Sequence, residues 1–147
     1  AVTLQIDLSQ PALPEDHTVF SPTTVLASYA EQSRTTFRET SGRLSIDLAQ
    51  PEKYINETPE VILAAVLAAA KRLGLDFEDN TLQYRVVDHP HDFYLLGPGM
   101  ERLRPRQKTG VPGLTLAGDY TKQPLFCTME GAVMSGQRAA RAVLKES

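Results

Sequence analysis

Two seven-residue stretches limit what this chain can fold into more than any other feature. From Val2 to Leu8 the apolar side chains Val2, Leu4, Ile6 and Leu8 alternate with Thr3, Gln5 and Asp7. From Arg43 to Ala49, Leu44, Ile46 and Leu48 alternate with Arg43, Ser45 and Asp47. A period of two sends successive side chains to opposite faces of extended backbone, so each stretch is a strand with one buried and one solvated face. Such strands suit an antiparallel sheet covered on one side. After a Pro-rich turn from Pro11 to Asp16, His17 to Phe20 reads as a short strand and Thr24 to Ala30 as another, with Val25, Ala27 and Tyr29 on one side. Ser21 and Pro22 punctuate between them. Leu82 to Val87 adds a strand with Leu82, Tyr84 and Val86 sharing a face.

The cover for this sheet is a helix. Pro51 to Ile55 suggests a short helical turn, and Thr58, Pro59 and Glu60 then supply an N-cap, a first-position proline and a first-turn acid. Val61, Ile62, Val66, Ala69, Ala70 and Leu73 make a broad apolar face, Lys71 and Arg72 suit the negative end of the helix dipole, and Gly74 ends it.

Composition narrows the class. At 147 residues, 41% hydrophobic, 22% charged and net charge −3, the chain has the balance of an ordinary globular protein, one domain or parts of two. Its basic residues are scattered along the sequence and outnumbered by carboxylates, which argues against a nucleic-acid partner. The longest apolar run, Val61 to Ala70, is too short to span a bilayer, so membrane contact would be peripheral. The one cysteine, Cys127, has no internal disulfide partner. The chain opens inside a strand pattern with neither an initiator methionine nor a signal-peptide pattern, which points to an excised piece of a longer protein.

The chemistry gathers in the last third. Gly113 to Asp119 reads as a short buried strand ending in Gly118 and a carboxylate, followed by a loop and a helix from Met129 to Leu144 that Thr128 can cap. Residues 131, 132, 135, 136, 139 and 140 are Gly, Ala or Ser, a small-residue stripe at helical spacing. Gly131 and Gly136 each cost about 1 kcal/mol of helix propensity against alanine, so a close contact should offset them. The unpaired N–H groups of the first turn, Met129 to Ala132, favour an electron-rich group, and Asp119 can accept hydrogen bonds from sugar or ribityl hydroxyls. By physics alone this is either a strand–loop–helix ligand corner or a tightly packed terminal helix.

Leu116 to Gln123 (LAGDYTKQ), followed by Met129 to Gly136 (MEGAVMSG), resembles the C-terminal flavin signature of the plant- and cyanobacterial-type phytoene desaturases, within the flavin amine-oxidase superfamily. Val86, Val87, Pro90, Tyr94, Pro98, Gly99, Arg104 and Pro105 fall where those enzymes have similar residues. The resemblance implies FAD as cofactor, with Gly118 and Asp119 near the ribityl and pyrophosphate and Met129, Glu130, Gly131 and Ala132 at the pyrimidine side of the ring. The flavin would then do the hydride chemistry, with no catalytic side chain from this piece. It implies an apolar, carotenoid-like substrate, with squalene derivatives, porphyrinogens or amines as alternatives, and the rest of the parent chain as partner. His91, Asp92 and the Pro124 to Cys127 loop depart from the family pattern. A non-catalytic binding module is the rival class.

No GxGxxG occurs, so the dinucleotide-binding half is expected elsewhere in the parent, and the piece alone is expected to be inactive. The expected fold is α+β. Residues 1–108 would be a mainly antiparallel sheet with its covering helix, part of a substrate-binding domain. Residues 109–147 would be the last strand and helix of an FAD-binding domain. His89 and His91 with Asp88 and Asp92 lack the spacing and the distant ligands of a metal site, and none is expected. Cys127 is either a thiol activated by the helix N-terminus or simple packing, and Glu130 reads as a first-turn acid. Tyr94 with Arg102, Arg104 and Arg106 is either the rim of a substrate entrance or a solvated basic loop.

Overall fold

A computed structural model describes residues 1–91, 94, 97–125 and 127–145. Two compact units divide the chain at residues 92 and 93.

The first unit is built on the alternating stretches. β1 (Val2–Leu8) is central, paired antiparallel with β4 (Gly42–Leu48) on one side and β5 (Thr81–Asp88) on the other. β3 (Leu26–Glu31) joins β4, and β2 (Thr18–Phe20) closes that edge, giving the order β2-β3-β4-β1-β5. The register sets Leu4 against Ile46 and Ile6 against Leu44, so the apolar halves of both strands fall on one face. Helix α1 (Pro59–Arg72) covers that face, burying Ile62, Val66, Ala69 and Ala70 in one cluster with Val2, Leu4, Ile6, Leu8, Leu26, Leu44 and Ile46. Each such Leu or Ile contributes about 1.5–3 kcal/mol by leaving water. A single turn of tighter helix at Pro51–Lys53 stands where the short helical turn is expected.

Three expectations fail in detail, two of them at irregular pairings. In β3 the buried side chains are Leu26, Tyr29 and Glu31, not the set Val25, Ala27 and Tyr29. The pairing with β4 shifts register between Leu26 and Ser28, and one extra residue reverses which parity faces the core. In β5, Tyr84 and Val86 pack against the core, but Leu82 is 67% exposed. The ladder runs from Gln83 to Thr81 across a shift between Asp7 and Leu8, and that irregularity takes Leu82 out of the alternation. The apolar face of α1 is also displaced from the expected one, since Val61 and Leu73 are exposed while Leu63 and Leu67 pack partly against the cluster.

One buried charge stands in this core. The Glu31 carboxylate accepts from the backbone N–H groups of Ala12 (2.8 Å), Ser33 (3.2 Å) and Arg43 (2.8 Å). Burial alone would raise its pKa, but the hydrogen bonds, led by the Arg43 N–H, outweigh burial and hold it below the ordinary value. The opposite face of the sheet is polar. Arg43 pairs with Asp7 at 2.9 Å and donates to Gln5, Gln83 donates to Asp7, and Thr3 and Ser28 both donate to Asp47.

The second unit contains one long helix, α2 (Met129–Leu144), and a set of turns. Gly113 to Asp119 is not the buried strand expected from its apolar letters. Its only ladder contact among the described residues is an isolated bridge between Lys108 and Thr115, and Leu114 is exposed. Extended backbone without a neighbouring strand has no ladder to join.

Candidate functional site

The segment carrying Gly118 and Asp119 is held against α2 by a buried polar hub. The Gly118 N–H donates to Ser135 Oγ at 3.0 Å, and Thr121 Oγ1 donates to the Gly118 carbonyl at 2.7 Å. That spends the Thr121 proton, so in the short Thr121–Ser135 contact the serine is the donor. Gln107 Nε2 adds hydrogen bonds to Thr121 Oγ1 and the Lys122 carbonyl. Thr121 and Ser135 are completely buried, with these groups satisfying one another.

Arg104 fixes the following loop. Its side chain is 7% exposed and donates to the carbonyls of Asp119 (2.8 Å), Gln123 (3.0 Å) and Leu125 (3.2 Å), with a longer contact to Tyr120, and pairs with Glu101 at 3.1 Å. Gln123 works from the other side, donating to the Asp119 carbonyl and accepting from the Leu125 N–H. Tyr94 donates to that same Asp119 carbonyl at 3.1 Å. Three donors thus converge on one main-chain oxygen, and the Asp119 backbone is held from three directions.

The two site glycines have separate reasons. Gly118 has φ +146°, and a Cβ there would collide with the Tyr120 ring. Gly131 is buried, and the space a Cβ would take is filled by the Gln123 amide. The close approach bought by the small residue at 131 is therefore to a side chain of this same unit. At the start of α2, Thr128 Oγ1 accepts from the Gly131 N–H at 3.0 Å, as an N-cap should. No described residue accepts from the N–H groups of Met129 and Glu130. The small-residue stripe divides into two rows: Gly131, Ser135 and Ala139 face inward and are buried, while Ala132 and Ala140 are exposed and Gly136 is half-buried with open space beside it.

Asp119 is half-buried, and Met129, Glu130 and Ala132, ten or more residues further along the chain, are exposed at the helix start. Cys127 reaches the Asp119 carboxylate. Burial, with the negative charge of Asp119 and a hydrogen bond to it, pushes the thiol pKa up, so proximity to a helix start does not activate it. Its backbone takes the left-handed conformation, φ +48°, as the chain turns into α2.

The sequence profile of the family described as flavin containing amine oxidoreductase matches residues 9–144. This chain belongs to that family. It is 34% identical over 143 residues to the 15-cis-phytoene desaturase, chloroplastic/chromoplastic, of Solanum lycopersicum, covering 89% of this chain and 24% of that protein. The 15-cis-phytoene desaturase of Synechococcus elongatus is 33% identical over 137 residues, 88% of this chain and 29% of that one. The zeta-carotene desaturase of Synechocystis sp. is 36% identical over 102 residues, 69% and 21%. The chain spans about a quarter of the length of the curated relatives it matches. A solved oxidoreductase from Methanosarcina mazei shares the fold, with a TM-score of 0.55 at 14% identity, over 98% of this chain and 33% of that one.

Within this member of the flavin amine oxidoreductase family, the motif marks Gly118, Asp119 and the start of α2 but not the side chains that hold them in place. Arg104 stood in a group with Arg102 and Arg106 as a rim or a solvated loop, yet those two are exposed and Arg104 alone is buried. Nothing in the sequence pattern assigns a role to Thr121, Gln123 or Gln107, and Ser135 stands out only as one of the small residues of α2. Three arginines at alternate positions, Arg102, Arg104 and Arg106, are the one mark in the sequence, and it does not say which of them turns inward. Asp92 and Phe126, two of the departures from the family pattern, lie outside the described residues.

Proposed function

We propose that this chain is the later part of an FAD-dependent desaturase that removes hydride from an apolar polyene of the phytoene class. Residues 1–108 would serve the substrate domain and residues 109–147 the flavin domain. The observation that carries the reading is the hub that holds Asp119 beside the start of α2. It presents a carboxylate acceptor and the N–H groups of Met129 and Glu130 on one corner. These are the groups that ribityl hydroxyls and electron-rich ring carbonyls require. FAD, when bound, supplies the hydride acceptor. The chain's own part is to accept from ribityl or phosphate-side donors at Asp119, to let the backbone approach at Gly118, and to place positive helix potential at Met129 to Ala132. Gly131 serves this arrangement by admitting Gln123, which sets the position of the Asp119 carbonyl.

In the full-length parent, Asp119→Ala is expected to weaken FAD retention by about 1–3 kcal/mol, through loss of an acceptor for cofactor donors. Flavin stoichiometry after dialysis checks this, and unchanged stoichiometry would remove Asp119 from the site. Incubating the flavin-loaded parent with phytoene and following the longer-wavelength absorption of a desaturated product tests the substrate. The isolated chain is expected to bind FAD weakly, because it has no glycine-rich turn to hold the pyrophosphate.

The polar face of the sheet supports a second reading. Gln5, Asp7, Arg43, Gln83 and Arg85 line a hollow of about 370 Å³ together with Tyr84, a poor wall for a hydrocarbon. If that face lines the substrate chamber, the substrate carries hydrogen-bonding groups, as amines and porphyrinogens do. Turnover of such compounds in place of phytoene would establish this alternative.

A further inference from the structure

The cations of the second unit are scattered in sequence and gathered in space. In residues 93–147 eight Lys and Arg outnumber four Asp and Glu, whereas in residues 1–92 fourteen acids outnumber seven bases. Two adjoining hollows hold most of that positive charge. One, of about 350 Å³, is lined by Lys108, Arg138, Arg141, Ala142 and Lys145. The other, of about 390 Å³, is lined by Arg106, Gln107, Lys108, Lys122, Arg138 and Ala142. Among the described residues every charged side chain of either lining is a cation, and Lys108 and Arg138 belong to both.

The helix dipole accounts for part of this. Arg141 and Lys145 lie in or beside the last turn of α2, where cations are favoured. It does not account for Arg106, Lys108 and Lys122, which arrive from other segments. Nor does it account for Arg138, nearly two turns before the helix end and three residues from Arg141, where like charges repel by about 0.2–0.5 kcal/mol. The walls are also fixed in advance. Arg138 donates to the Lys122 carbonyl at 3.2 Å, the Lys122 N–H to the Pro105 carbonyl at 2.7 Å, and the Leu116 N–H to the Gln107 carbonyl at 2.8 Å. Lys108 is bridged to Thr115, and Gln107 is tied to the hub. Repelling cations held on a pre-formed double hollow are suited to an anion of more than one charge. Guanidinium forks match phosphate oxygens two at a time, and lysines add point charge.

We propose that these two hollows form one binding site for a diphosphate group, seated where they meet against Arg138 and Lys108, the two cations common to both. The site uses none of the flavin corner's residues: Gly118, Asp119 and Met129 to Ala132 line neither hollow, and Arg138 stands about 9 Å of helix rise beyond Ala132. The proposal does not depend on the flavin reading.

The test uses the 147-residue chain, isotope-labelled, titrated with inorganic pyrophosphate at constant ionic strength and followed by amide shifts. Saturable shifts confined to residues 106–108, Lys122 and residues 138–145 are expected, with inorganic monophosphate at least about tenfold weaker because it offers fewer charges and oxygens to the same cations. Arg138→Gln should weaken pyrophosphate binding about tenfold or more. Since Arg138 also holds the Lys122 carbonyl, Lys145→Gln provides a variant at the exposed end of the first hollow, expected to weaken binding several-fold. Lys53→Gln, in the other unit, should change nothing. Shifts that sodium chloride reproduces, or a titration indifferent to both variants, would overturn the site. Co-sedimentation with phosphatidylcholine vesicles containing phosphatidic acid, competed by pyrophosphate, would identify a lipid headgroup as the source. Pyrophosphate binding without vesicle binding would identify a free phosphate compound.

Discussion

The two units solve the same problem with opposite materials. Residues 1–92 are organised by an apolar cluster between a sheet and a helix, with Glu31 as a single, fully hydrogen-bonded buried charge. In residues 93–147, Ala139 is the only apolar side chain buried among the described residues, and what is buried with it is Arg104, Thr121, Gln123 and Ser135. The larger apolar side chains there point outward, Met129 at 89% exposed and Leu144 at 75%. Hydrophobic burial is non-directional and tolerant, whereas a polar hub holds only if every member is present and satisfied. The first unit therefore has what an independent fold needs. The second is held by directional polar contacts, with apolar side chains left at its surface.

Substitutions in each unit can break or sharpen this contrast. Ile6→Ala, at the centre of the apolar cluster, is expected to cost about 2–5 kcal/mol and to lower the urea midpoint of the sheet signals. Amide signals of α2 that fell in step with them would show the two units to be one cooperative body. Arg104→Met should cost about 1.5–3 kcal/mol, confined to the second unit, because several carbonyls lose a charged donor. Hydrogen exchange should speed up at Gln123 and Leu125 and stay unchanged in β1.

Acid should act first on the other unit. The folded pKa of Glu31 lies below the ordinary glutamate value of 4.5, so its stabilisation is complete above that value. It is lost as pH falls below 4.5 and through the folded value. Urea midpoints from about pH 6 to about pH 3 should fall more steeply for the parent chain than for Glu31→Gln, and parallel curves would remove Glu31 from the account. The smallest effect is that of Thr128→Ala, about 1 kcal/mol from loss of the N-cap to Gly131, seen as fraying of the first turn of α2.

What could be read from sequence followed this division. β1 and β4 were legible because their alternation is unbroken and their partners lie in register. The phase of β3 and the place of Leu82 were not, because an irregular pairing leaves no mark in the letters while reversing or interrupting the face assignment. The caps of both helices lay at the expected residues, although Thr58 makes no side-chain capping bond and Thr128 does. In the second unit, apolar letters from Gly113 to Ala117 imitated a buried strand that has no ladder to join. Gly118, Asp119 and the first turn of α2 stand out by their motif, but Arg104 does not stand out from its neighbours. Its acceptors are main-chain oxygens 15 to 21 residues further on, and a carbonyl looks the same whatever residue bears it.

That last property gives the loop from Asp119 to Leu125 an unusual freedom to be rewritten. Arg104 grips four carbonyls, and carbonyls survive substitution of the side chains beside them. Tyr120 and Leu125 can change identity without altering what the guanidinium holds, provided the backbone path is kept and Gln123 and Gly118 are retained. The face that the loop presents can then be exchanged as a cassette, altering what it touches while the corner behind it keeps its shape.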